Sequence, residues 1–361
     1  MRKRVYNFSA GPSMLAEEVL KKLQKEMLSY EESGMSVMEM SHRSKVYLSI
    51  FGKTKDALRR VLDIPEDYEI LFMQGGATMQ FSCVPLNLMK NGKADYIITG
   101  NFSKKAAEEA AKYGEVHIAY DGKENGYSEI PSQEELNLSR DASYVHICSN
   151  NTIYGTEWQK YPDTNGIPLV ADMSSDILSR RINVRDFGLI YAGAQKNMGI
   201  AGLAVVIVRK DLITEHSEKV PVLLQYDTTA KNDSMYNTPS TYSIYVLGEV
   251  LEWIEETGGL EEIERRNREK AGLLYAYLDE HPYYRAHSKK EARSLMNVTF
   301  TTPEEDLDRL FALEAEKRGL TNLKGHRLVG GIRASIYNAM PLEGVKELIQ
   351  FMEDFRKENV I

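Results

Sequence analysis

The sequence is poor in cysteine, in long apolar runs and in excess positive charge. Only Cys83 and Cys148 occur among 361 residues, each in apolar surroundings. That excludes a disulfide-built scaffold and predicts a reducing, cytoplasmic setting. No apolar run approaches the ~20 residues needed to span a bilayer. The opening MRKRVYNFSAGPS carries positive charge but leads into no apolar segment, so neither a membrane span nor a secretory signal is read. With 45 basic against 53 acidic residues the net charge is −8 and the pI near 5.6. This excludes a general polyanion-binding surface, so no nucleic-acid partner is expected and any anion site must be a local cluster. No GxGxxG fingerprint occurs. The one Gly-Lys-Thr, Gly52-Lys53-Thr54, has Tyr47 where a phosphate loop requires glycine, and no strand precedes it. No metal is expected.

The chain is long enough for one large domain and a smaller one. Residues 1–15 read as an irregular arm. Ala16–Tyr30 reads as an amphipathic helix with Val19, Leu20, Leu23 and Met27 on one face, and a second helix runs from Ser44 to about Leu62. From Glu69 short apolar runs recur at 69–73, 95–99, 116–120, 144–148, 168–171, 189–194 and 203–208, separated by helical or turn-rich segments. That alternation predicts a mostly parallel sheet covered by helices on both faces. Tyr242–His281 is mostly helical and interrupted at Gly258-Gly259. Beyond it, strands near 295–300 and 332–337 and helices at 304–318 and 342–357 predict a small α+β domain with which the arm packs. The expected division is 16–264 for the large domain, and 1–15 with 265–361 for the small one.

In open parallel sheets, ligands lie outside the carboxyl ends of the strands. Four such ends carry chemistry. Gln74-Gly75-Gly76-Ala77-Thr78 opens a helix, and a helix N-terminus with glycines suits a phosphate. Phe102 follows the second run; core packing is its ordinary use, stacking on a flat ligand the other. Asp172 ends a buried strand, either as a helix cap or as a functional carboxylate. Lys196 follows the apolar run 189–194 and is hemmed in by Gly193, Ala194, Gly199, Ala201 and Gly202. Taken alone it is a lysine that reaches water; desolvated, its amine can form a Schiff base with an aldehyde. A flat phosphorylated aldehyde with a basic ring nitrogen uses all four groups together. That ligand is pyridoxal phosphate.

Asn7-Phe8-Ser9-Ala10-Gly11-Pro12, Ser41-His42-Arg43, Gly75-Gly76-Ala77-Thr78, Asn151 to Thr156, Ala171 to Ser175, Gly193 to Asn197, Asn237 to Ser240, Gly325-His326-Arg327 and Gly331 to Asn338 resemble, nearly end to end, the phosphoserine aminotransferase family of class-V, fold-type I pyridoxal phosphate enzymes. The resemblance implies an internal aldimine on Lys196, with Asp172 paired to the pyridine nitrogen and Thr152 bonded to the ring hydroxyl. It implies phosphate contacts from Gly76, Ala77, Gln195 and Ser174, and stacking by Phe102 where many relatives carry tryptophan and cover more area. Asn237 and Thr238 would reach the phosphate from a second subunit, so a homodimer with shared active sites is implied. Arg333 is implied for the substrate α-carboxylate, and His42, Arg43, His326 and Arg327 for the distal anion. Arginine suits both, because its fork holds carboxylate or phosphate bidentately.

The implied reaction is amino transfer from L-glutamate to 3-phosphohydroxypyruvate, giving O-phospho-L-serine and 2-oxoglutarate. The related phospho-threonine of vitamin B6 synthesis is a further candidate substrate. Two rival readings share the scaffold. A cysteine desulfurase needs a reactive cysteine on a mobile loop, whereas Cys148 reads as strand and Cys83 as helix. An alanine–glyoxylate transaminase does not need the two His-Arg pairs. A non-catalytic phosphate-ligand binding protein would need neither Lys196 nor Asp172.

Overall fold

The computed structural model describes residues 4–214 and 220–359, so the first three residues of the predicted arm and the last two of the chain lie outside the described residues. Its centre is a seven-stranded sheet in the order Tyr68–Gln74, Leu203–Arg209, Leu189–Gly193, Leu169–Asp172, Val145–Cys148, Lys93–Ile98, Glu115–Asp121. Six strands point one way; Leu203–Arg209 runs antiparallel to both of its neighbours. The reversal follows from the connection: a tight turn joins Leu189–Gly193 to Leu203–Arg209, and no crossover helix intervenes to restore the direction.

The apolar runs are continuous because both faces of the sheet are covered. Phe72, Ile147, Ile190 and Val205 enter one core with the helices Lys45–Val61 and Thr241–Thr257. Their neighbours Met73, Tyr191 and Val206 enter another with the helices Gly76–Leu88 and Asn101–Ala110. Gly52-Lys53-Thr54 lies inside the helix Lys45–Val61, as its spacing required. The first helix is shorter than its periodicity suggested, Glu17–Glu26. Ser29 explains the early stop: its Oγ accepts from Gly34 N at 3.1 Å and donates to Glu31 O at 3.2 Å, so its side chain builds a local turn in place of another helical one.

A second, three-stranded antiparallel sheet contains Arg285–Ala286, Asn297–Thr301 and Ile332–Ser335. The helices Gly259–Glu280, Glu305–Lys317 and Leu342–Glu358 pack on it through a third core. Tyr6–Asn7 pairs in parallel with Leu320–Thr321, and Phe8, fully buried, belongs to that third core. Gly258, at φ 113°, ends the helix Thr241–Thr257 and lets the next one start at Gly259. That helix passes from one core to the other, giving Leu260 and Ile263 to the first and Ala271 and Leu274 to the third.

Candidate active site

The carboxyl ends of the parallel strands and the end of the arm enclose a cavity of about 490 Å³. Gly76, Ala77, Phe102, Thr152, Asp172, Ser174, Gln195, Lys196, His326 and Arg333, all singled out from sequence, line it. Lys196 stands three residues beyond the strand Leu189–Gly193, and its Nζ donates to Thr152 Oγ1 at 2.8 Å. The same Nζ lies 5.8 Å from the Phe102 ring centroid. Sequence reasoning missed what holds the lysine from the other side. Ser13 donates from Oγ to Lys196 O (2.7 Å) and from its backbone N to Gln195 O (2.9 Å), so the arm closes over the lysine. Gly11 sits at φ 135°, and a Cβ there would stand 3.2 Å from Lys196 Cγ, too close without displacement. Ala10, Gly11 and Pro12 therefore become cavity wall.

Asp172 is buried at the end of its strand. Its Oδ1 accepts from Ser174 N at 2.9 Å and from Ser174 Oγ at 2.6 Å, and Gly193 N in turn donates to Ser174 Oγ at 3.1 Å. Burial pushes the Asp172 carboxyl up; the Ser174 donors, the Lys196 charge and the Tyr191 hydroxyl pull it back. No cation forms an ion pair with it among the described residues, which leaves a buried carboxylate looking for a positive partner inside the cavity. The thiol of Cys148, also on the wall, is pushed well up by burial and by Asp172, the opposite of what a nucleophilic cysteine needs.

The glycine loop has the conformation its sequence demands. Gly75 lies at φ 91° and caps the helix Gly76–Leu88; a Cβ there would fall 2.9 Å from Met79 Cβ. Gly76 and Ala77, the first residues of this helix, line the cavity, and the unbonded N–H groups of a helix N-terminus suit an anion. On the far wall, Arg333 projects from the strand Ile332–Ser335 and makes one long contact, 3.5 Å from Nη1 to Thr152 O. Burial pulls its guanidinium below the ordinary arginine value. His326 is held below the ordinary histidine value by partial burial and by the charges of Arg333, Arg327 and Lys105. None of Arg333, His326 and Arg327 has an ion-pair partner among the described residues, and two unpaired guanidinium groups beside an imidazole that can donate make a site for anions.

Five residues taken from sequence are not brought into this cavity by a single protomer. Arg327 is exposed beside His326. His42 and Arg43 lie ahead of the helix Lys45–Val61, joined to each other by a 3.3 Å contact from Arg43 Nε to His42 Nε2. Asn237 and Thr238 are exposed; Thr238 O accepts from Gln74 Nε2 at 2.6 Å, and Asn237 lines a neighbouring cavity of about 350 Å³ that also touches Gly75.

The model of the family "Aminotransferase class-V" matches residues 5–348. The chain belongs to the class-V aminotransferases. It is 54% identical over 359 residues to a phosphoserine aminotransferase of Pseudomonas paraeruginosa, with 99% of each chain covered. It is 52% identical over 357 residues to that of Bacillus cereus, again with 99% of each covered. Among solved structures, phosphoserine aminotransferase from Bacillus circulans subsp. alkalophilus superimposes with a TM-score of 0.97 at 46% identity, covering 99% of each chain. A structure described as pyridoxal phosphate-bound phosphoserine aminotransferase from Trichomonas vaginalis superimposes at 0.93, with 40% identity over 97% of this chain and 100% of that one. An alanine–glyoxylate aminotransferase from Nostoc, 18% identical at a TM-score of 0.77, shares the fold alone.

Class-V aminotransferases work with pyridoxal phosphate, and the cavity passes a direct test of fit. It offers an amine on Lys196, a buried carboxylate with no ion-pair partner among the described residues, and a helix N-terminus entered through two glycines at positive φ.

Proposed function

We propose that the chain is a pyridoxal phosphate-dependent phosphoserine aminotransferase, transferring the amino group of L-glutamate to 3-phosphohydroxypyruvate. The observation that carries this reading is the pairing, within one cavity, of Lys196 and Asp172 with Arg333 and His326, neither of which has an ion-pair partner among the described residues. Relatives of that name at 52% and 54% identity over 99% of the chain support it. The bound cofactor supplies an electron sink for the carbanion left when the α-proton departs. The protein's own groups do the rest. Gly76, Ala77 and Gln195 hold the phosphate end and Phe102 covers the ring; Ser174, expected at the phosphate, instead gives both of its donors to Asp172. Asp172 holds a proton at the ring nitrogen, and Thr152 binds the ring hydroxyl. Arg333 takes the α-carboxylate in its fork. Lys196 Nζ takes the proton from the substrate Cα and returns it on the other side of the transfer, as base and then acid.

The distal anion falls to His326 and Arg327 with His42 and Arg43 of a second copy, and Asn237 and Thr238 of that copy complete the cofactor-phosphate site, because none of these last four lines the cavity of their own protomer. A homodimer with shared sites is part of this reading. Met79, Leu223 and Tyr236, 41%, 51% and 50% exposed, stand beside Asn237 and support that assignment. The same cations suit the phosphate of 4-phosphohydroxy-L-threonine. We assign the cytoplasm as the compartment, 16–264 as the cofactor-binding domain, and 1–15 with 265–361 as the smaller domain. No helix among the described residues is long and apolar enough to cross a membrane.

The test is the visible spectrum of the purified protein before and after borohydride, with peptide mapping, followed by turnover of phosphoserine with 2-oxoglutarate. Bleaching with the pyridoxyl group on Lys196, and parallel initial-rate lines, are expected. Intersecting lines rule out the two-step transfer. A Lys196→Ala protein with unaltered turnover removes the lysine from the chemistry.

A further inference from the structure

The arm that closes over Lys196 is held at two points, one on each side of the cavity. Ser13 bonds the backbone of Gln195 and Lys196, at the edge of the seven-stranded sheet. Three residues earlier, Ala10 O accepts from the Tyr337 hydroxyl at 2.9 Å. Tyr337 is buried and follows the strand Ile332–Ser335 of the small sheet. The stretch between these points, Ala10 to Pro12, is cavity wall. Its Gly11 lies against the methylenes of Lys196, for a Cβ there would stand 3.2 Å from Cγ and 3.5 Å from Cε.

The Tyr337 hydroxyl ends a buried hydrogen-bond chain that begins at the cavity floor. Asn150 and Ser175 line the cavity. Asn150 Nδ2 donates to Ser175 Oγ and to Asn297 Oδ1, each at 2.8 Å. Asn297 Nδ2 donates to Ser335 Oγ at 2.9 Å and to the Tyr337 hydroxyl at 3.3 Å. The register pairs Asn297 with Ser335 and Thr299 with Arg333, so Asn297 stands on the sheet face that carries the arginine. Backbone groups fix the direction of the chain from both ends. Ala10 O can only accept, so the phenol proton points to it and the phenol oxygen accepts from an amide. That turns Asn297 Nδ2 toward Tyr337 and Asn297 Oδ1 toward Asn150 Nδ2. At the other end Ser294 Oγ accepts from Met296 N at 3.0 Å and Asn297 N at 2.9 Å, which frees its proton for Asn150 Oδ1 at 2.5 Å. Asn150, Ser294, Asn297, Ser335 and Tyr337 are each 2% exposed or less, so solvent does not replace a lost partner.

We propose that Tyr337, and Asn297 through it, are positioning residues for Lys196: the one-way chain from Asn150 through Asn297 and Tyr337 to Ala10 O holds residues 10–13 against the lysine's methylenes and so aims its amine. The inference rests on the proposed role of Lys196 as base and acid. A lysine amine sits on a flexible four-carbon stem, so its placement needs a restraint along the stem as well as at the tip. Thr152 Oγ1 holds the tip at 2.8 Å. In the proposed function Thr152 is given over to the cofactor's ring hydroxyl, and the arm is then the wall that still bears on the stem.

Two readouts separate the hold on the arm from the work of the lysine. Amide hydrogen exchange of the full-length protein reports the arm without any chemistry. Tyr337→Phe keeps the ring and deletes one hydrogen bond, so exchange of the Ser13 N–H should quicken about three- to tenfold while the amides of the main sheet keep their protection. Asn297→Asp keeps the shape but removes the donor. The phenol proton then turns to the carboxylate, Ala10 O is released, and the same amide should quicken. This variant carries the test if Tyr337→Phe does not fold. Single-turnover absorbance with glutamate and with α-deuterated glutamate then reads the lysine. The rate constant should fall about tenfold and the isotope effect should rise, while glutamate affinity, which belongs to Arg333, stays within about twofold. Unchanged Ser13 exchange, or exchange raised equally throughout the sheet, overturns the hold on the arm. A faster-exchanging arm with unaltered rate constants overturns its role toward Lys196. Absence of turnover in the wild type defeats the proposed function instead, and the exchange result still judges the arm.

Discussion

Arg333→Lys keeps the charge and removes the fork. The arginine has no ion-pair partner among the described residues and only a 3.5 Å contact to Thr152 O, so the substitution breaks nothing that supports the fold. It removes one of two charge-assisted hydrogen bonds to the substrate carboxylate and misplaces the other. At ~1.5–3 kcal/mol for such a bond, the loss is about 2–3 kcal/mol, or about 30- to 150-fold in kcat/KM. All four substrates and products carry an α-carboxylate beside the reacting carbon. The loss must therefore appear in both half-reactions and to a similar degree, which single-turnover absorbance measurements with each substrate resolve. Stability should move the other way. A half-buried guanidinium pulled below its ordinary value and left without a counter-ion among the described residues is a cost to the empty protein. Arg333→Gln should raise the Tm of the cofactor-free protein by about 2 °C or more while abolishing turnover. A loss below threefold for Arg333→Lys, or a loss confined to one substrate pair, refutes the assignment.

Phe102→Trp should enlarge the stacked area over the ring and tighten pyridoxal phosphate binding by about two- to tenfold, measured as the rate and extent of cofactor loss on dialysis. Lys270 is buried, with Nζ donating to Ile336 O at 3.0 Å and Tyr337 O at 2.7 Å, and burial pulls its pKa from 10.5 down to about 7. The folded state binds fewer protons there than the unfolded chain, so the Lys270 contribution is full above 10.5 and is lost as pH falls through about 7. In wild type minus Lys270→Met, denaturant stability should rise between these limits; a flat difference refutes it. For the shared site, Lys196→Ala and Asn237→Ala are each expected to be impaired. Mixing them after subunit exchange should restore activity in the hybrid, whose one intact site draws Lys196 and Asn237 from different chains; no recovery refutes the sharing.

The strand ends were legible because one rule places ligands at the carboxyl edge of a parallel sheet, and Gly75, Phe102, Asp172 and Lys196 each follow an apolar run. What was not legible has physical causes. The closure of Ser13 over Lys196 spans 183 residues, and no local pattern announces it. Tyr191 sits inside a continuous apolar run, where an aromatic reads as core; only strand order reveals that it stands opposite Asp172. A polar-capable residue facing an acid-ending neighbour strand was the available signal, and it requires the register first. The antiparallel course of Leu203–Arg209 follows from the tight turn after Lys196, which was visible but was not used to assign direction. His42, Arg43, Asn237 and Thr238 rest on family resemblance, since their role needs a second chain.

The site's two halves are joined by polar contacts rather than by a shared apolar core. Asn197, next to Lys196, accepts from Asn338 N at 3.1 Å and donates to Ile177 O at 3.0 Å. Asn338 donates to Leu178 O and accepts from Asn267 Nδ2, each at 2.8 Å, and Asn267 Nδ2 also reaches Ser179 O at 2.9 Å. Asn338 follows the strand that carries Arg333, and Asn267 lies on the helix that crosses between the cores. Lys196, proposed to handle the α-proton, and Arg333, proposed to hold the α-carboxylate, are thereby tied through one buried amide ladder. Buried amides of this kind tolerate little slack, because each lost partner leaves an unsatisfied group. The ladder therefore fixes the distance between the two substrate-contacting groups more tightly than apolar packing would. That matters for a reaction whose two half-reactions must present different distal anions to one lysine in one geometry.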